Sequence, residues 1–63
     1  MKTIKSSINV KYIIEVKDLH GSSWTPFSYH TILGEAIEEI ESERKTLPRC
    51  QFRLIRAEWT VID

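Results

Sequence analysis

The sequence predicts an α+β fold: a three-stranded antiparallel or mixed sheet with one helix packed on one face, in the order β-β-α-β. Three observations predict it. Val10 to Lys17 alternates with the period of a half-buried strand. Leu33, Ala36, Ile37, Ile40 and Leu47 recur at helical spacing. Gln51 to Ile62 is rich in β-branched and aromatic residues. One helix across a small sheet is a compact two-layer solution for these elements.

The elements follow in chain order. Residues 1–7 are polar and are expected to fray. In the first strand Val10, Tyr12, Ile14 and Val16 point one way, and Lys11, Ile13, Glu15 and Lys17 the other. Asp18 to Ser23 supplies turn chemistry, with Gly21 as the expected residue at positive φ. Trp24 to Tyr29 reads as a second strand. Pro26 cannot donate to a ladder, so this strand belongs at an edge. Thr31 is placed to cap the helix, and Pro48 marks its end.

The last strand slips in phase. Phe52 and Leu54 share one face, but Ile55, Ala57, Trp59 and Val61 share the other. Either a bulge near Leu54 to Arg56 resets the alternation, or both faces are covered. Strands one and two form a hairpin, and strand three pairs with strand one.

The 63 residues amount to one small domain. Such a core rarely supplies more than roughly 3–5 kcal/mol unaided. Cys50 is the only cysteine, so an internal disulfide is excluded, and a lone thiol suits a reducing cytoplasm. Cys50, His20 and His30 lack zinc-ligand spacing, so no metal or other cofactor is expected. Self-association as a homodimer is the remaining supplement. The early residues are too polar for a signal peptide, and no apolar run approaches the ~20 residues of a membrane span.

Net charge is zero, but its distribution is uneven. Glu35, Glu38, Glu39, Glu41 and Glu43 crowd the helix, and the first three fall opposite its apolar stripe. The acid is the mark of a helix back in water. A convex back offers no cleft to shift a pKa, so these carboxylates are not read as an acid–base pair. The sheet side is correspondingly basic. Without a net basic excess, strong non-specific binding of nucleic acid is not expected.

Lys11, Ile13, Lys17, Arg53, Ile55, Arg56 and Trp59 form the candidate partner-binding set, because mixed apolar and basic groups on an open sheet face can receive a protein. Trp24 is expected in the core, while Trp59, beyond the phase slip, fits core or interface equally. His20 and His30 are expected to face solvent in loops. No residues are read as catalytic. Cys50 with a histidine lacks an orienting third group.

The runs "KYIIEVKD", "WTPFSYHTILGEAIEEI" and "PRCQFRLIRAEW" resemble those of short phage- and prophage-type accessory proteins. There a hairpin leads into a helix of the T-L-x-E-A kind and a closing strand. Leu33, Glu35 and Ala36 carry the match, with Thr31 one place early. The resemblance spans most of residues 10–59 and implies a β-β-α-β fold. It also implies an adaptor or inhibitor that binds a host or bacterial protein. It carries over no functional residue. The expected function is a non-enzymatic protein-interaction module. The alternative is a nucleic-acid binder using Lys11, Lys17, Arg53 and Arg56.

Overall fold

The computed structural model describes residues 6–62. It contains strand β1 (Ser6–Lys17), strand β2 (Thr25–His30), helix α1 (Leu33–Thr46) and strand β3 (Gln51–Ile62). The fold is α+β in the order β-β-α-β. The sheet order is β2-β1-β3, and both outer strands run antiparallel to β1. Pro26 therefore does lie on an edge strand.

β1 begins at Ser6, so Ser6 and Ser7 are part of the strand, whereas residues 1–5, expected to fray with them, lie outside the described part. The physical reason is pairing. β1 and β3 keep one uninterrupted antiparallel register from Ser6↔Ile62 to Lys17↔Gln51. The hydrogen bonds of that ladder hold polar residues that propensity alone would leave loose. The same register removes the expected bulge in β3. Ile55, Ala57, Trp59 and Val61 stay on the face away from the helix.

The irregularity sits in β2 instead. Ile14 faces Ser28, but Glu15 faces Pro26, so Phe27 is the extra residue. A bulge is where a proline costs least in a sheet. It also turns the Phe27 ring to the helix side, where it meets Phe52 edge-on at 5.6 Å and 88°.

The core is small. Ile14, Ala36, Ile40 and Phe52 are buried, and Val16, Cys50 and Leu54 pack around them. Each large aliphatic or aromatic side chain so buried contributes about 1.5–3 kcal/mol. Only part of the helix stripe docks. Leu33, Ile37 and Leu47 remain exposed, whereas Glu39 and Glu43 are half-buried. The cause is a polar tie on the β2 side. Glu39 accepts from the Ser28 hydroxyl at 2.9 Å and pairs with the His30 ring. The helix is rolled toward β2, which lifts Leu33 and Ile37 at the β3 margin. His30 is thus a strand residue bound to the helix, and not a solvent-facing loop histidine.

Two local expectations also change. The helix N-cap is Ile32 in an extended conformation with no side-chain cap bond, so Thr31 does not cap. Gly21 has no positive φ. Its turn closes by Gly21 N–H donating to the Asp18 carbonyl at 3.1 Å. A Cβ there would sit 2.6 Å from Asp18 Oδ1, the tip of an exposed side chain that can turn aside.

The shape is long and thin, with extents of 57 × 25 × 11 Å and a radius of gyration of 15.8 Å. A compact chain of this length has a radius near ~11 Å. The excess comes from the end of the β1–β3 ladder. β2 pairs only with Tyr12 to Val16 of β1. Residues 6–11 and 57–62 therefore continue as a two-stranded arm.

Candidate functional site

The open face of the sheet is built by odd-numbered residues. The pairs Asn9↔Trp59, Lys11↔Ala57, Ile13↔Ile55, Glu15↔Arg53 and Lys17↔Gln51 all lie on the side opposite the helix. β2 adds Tyr29, opposite Ile13. Ile13, Ile55 and Ala57 form a half-buried apolar centre.

Two cation–aromatic clusters flank that centre. Toward the arm, Lys11 Nζ lies 4.5 Å from the Tyr29 ring centroid and 5.8 Å from that of Trp59. Toward the turn, Lys17 Nζ and the Arg53 guanidinium lie 5.1 and 4.3 Å from the Trp24 centroid. Arg53 also donates from Nε to Glu15 Oε1 at 2.6 Å. Contacts of this kind at exposed sites contribute about 0.5–1 kcal/mol each. They also pre-set the direction of three long, otherwise floppy cationic side chains.

Of the seven candidate residues, Lys11, Ile13, Lys17, Arg53, Ile55 and Trp59 share this face. Arg56 does not. It stands opposite Tyr12 on the helix side, at the root of the arm. Its Nη1 donates to Glu58 at 2.6 Å, and this bond, followed by one with Tyr12, raises its pKa above the ordinary guanidinium value. The mismatch is one of parity, since an even-numbered residue of an unbroken β3 cannot share a face with Arg53.

Trp24, expected in the core, and Tyr29, which the strand pattern assigns to neither face, also belong to this open face. Trp24 is half-buried against Lys17 and Arg53, and the buried core is aliphatic apart from Phe52. Trp24 precedes β2 and has no strand phase of its own. Tyr29 is assigned to this face only once the bulge at Phe27 is known.

Cys50 packs against the core cluster, and His30 is engaged with Ser28 and Glu39. Among the described residues there is no cavity and no group of three His, Cys, Asp or Glu side chains placed to hold a metal ion. Among them, too, no helix is long and apolar enough to cross a membrane. Comparison with protein-family models, with curated proteins and with solved structures finds no match to this chain.

Proposed function

We propose that this chain is a non-enzymatic protein-interaction module whose open sheet face receives a partner protein. One observation carries the reading: Lys11, Lys17 and Arg53 are held against Tyr29, Trp59 and Trp24 on either side of the Ile13–Ile55 centre. Aromatic and arginine groups around an apolar patch are the usual anchors of protein interfaces. Among the described residues of the two long strands this face carries one carboxylate, Glu15, which pairs with Arg53, so the preferred partner surface is apolar at its centre and acidic at its rim. The resemblance to phage and prophage accessory proteins supports a bacterial host protein as that partner, with inhibition as one consequence of its capture.

The same cations and rings favour a second reading, single-stranded nucleic acid, because bases stack on aromatic side chains within basic grooves. Two features weigh against it. The rings already carry the protein's own cations over their faces, and the net charge is zero.

Affinity capture from bacterial lysate separates the readings. Wild-type protein should retain one specific protein, and Trp24→Ala and Arg53→Glu should each lose it while far-ultraviolet circular dichroism stays unchanged. Retention by both variants removes the open face as the site. Binding of single-stranded DNA or RNA that collapses with added salt would install the second reading instead.

A further inference from the structure

The outer edge of β3 has no partner strand among the described residues. Its start is blocked, because Arg44 Nη2 donates to the Phe52 carbonyl at 3.1 Å. That contact also fixes the phase of the edge. Phe52 directs its carbonyl outward, so Leu54, Arg56, Glu58 and Thr60 present their N–H and C=O groups outward too. The Thr25 hydroxyl bonding to the Val16 carbonyl at 3.3 Å gives the same phase from the other side of the pair Val16↔Phe52. From Leu54 to Thr60 the edge is open for about 20 Å. A long unguarded edge is a template for another strand.

We infer that a second copy of this chain docks there, β3 antiparallel to β3, with the two-fold axis through Ala57. Such an axis is normal to the sheet, so facing residues must share parity. About Ala57, Arg56 meets Glu58 of the second copy and Glu58 meets its Arg56. On the open face Ile55 meets Trp59. The neighbouring registers fail on charge. An axis at Arg56 sets that arginine against itself, and an axis at Glu58 does the same to the glutamate. Like charges directly opposite each other destabilise a strand pair.

Apolar surface agrees with the same register. It places Thr60 of the second copy beside Leu54 with Ile8 next to it, and brings Ile62 to the end of the open edge, against the Arg44 side chain that covers the Phe52 carbonyl. Ile62 and Ile8 are 70% and 68% exposed in the single chain. Above them stands the β3-side flank of α1, where Leu33 and Ile37 are 44% and 40% exposed. Arg44 identifies that flank, because it lies between Leu33 and Ile37 around the helix and reaches β3, while Glu39 reaches β2. The arm of each copy thus covers the uncovered helix flank of the other. The open face stays free, so the pairing does not rest on the partner-binding reading.

Sedimentation equilibrium of the full chain tests it. Wild type should sediment at twice the 7.4 kDa chain mass. Arg56→Glu and Glu58→Arg should each sediment as monomers with unchanged circular dichroism. Their equimolar mixture should regain the dimer, because the unlike chains then face each other with opposite charges at both contacts. Each variant carries like charges at these two positions within its own chain, so rescue can arise only between chains. A monomeric wild type, a dimer indifferent to both variants, or a mixture that stays monomeric would overturn the inference. Crosslinking adds a check independent of variant stability. Ala57 opposes itself as a non-hydrogen-bonded pair, with Cα atoms about 4.5 Å apart, within disulfide range. Ala57→Cys with Cys50→Ser should form a disulfide-linked dimer on mild oxidation, and its failure to do so would also overturn it.

Discussion

The two ends of the β1–β3 ladder share one register and differ in nearly everything else. At one end β2 and α1 flank the ladder, and Ile14 loses all contact with water against Ile40 and Phe52. At the other end the same two strands run on alone, and Ile8, Trp59, Val61 and Ile62 stay exposed. Continuous pairing therefore does not make continuous stability. Backbone hydrogen bonds set the register, but a two-stranded ribbon is marginal in water until a third layer excludes solvent. The body holds the energy of the fold, and the arm holds surface available to something else.

This contrast can be broken or sharpened by substitution. The largest effect belongs in the body. Ile14→Ala should cost about 2–5 kcal/mol through lost burial and a cavity, enough to unfold a domain this small. A urea titration that shifts by less would place the core elsewhere. A smaller effect, of opposite sign, is expected where α1 begins. Ile32 occupies the N-cap without a side-chain bond, so Ile32→Asp should stabilise by about 1 kcal/mol, read as a raised midpoint in thermal unfolding. The smallest effect belongs to the arm. At concentrations that keep single chains apart, Ile8→Ser should change stability by less than about 0.5 kcal/mol. A loss there matching Ile14→Ala would mean that the arm is folded into the body after all.

The fold was largely legible in the residues. The alternation through Val10 to Lys17, the Leu33 to Ile40 spacing and the position of Pro26 are local signals, and each reports a local fact. What stayed illegible depends on partners distant in sequence. Ser6 and Ser7 join a strand only because Ile62 and Val61 arrive to pair with them. The roll of α1 depends on Glu39 finding Ser28 and His30, a contact no helical wheel contains. Trp24 looked like core by size, yet cations on two other strands draw it to the open face. Arg56 was grouped with Arg53 by charge, and strand parity separates them. Lys11, Ile13, Lys17, Arg53, Ile55 and Trp59 share a face because period 2 holds through both long strands.

The bulge in β2 has one more effect. Pro26 offers no N–H, and Phe27 drops out of step, so incoming strands find an interrupted row of donors along that margin. Recruitment of further strands is thereby confined to the far side of the molecule. A sheet that can be extended from only one margin tends to finish as a closed pair, where one open on both would grow into a fibre.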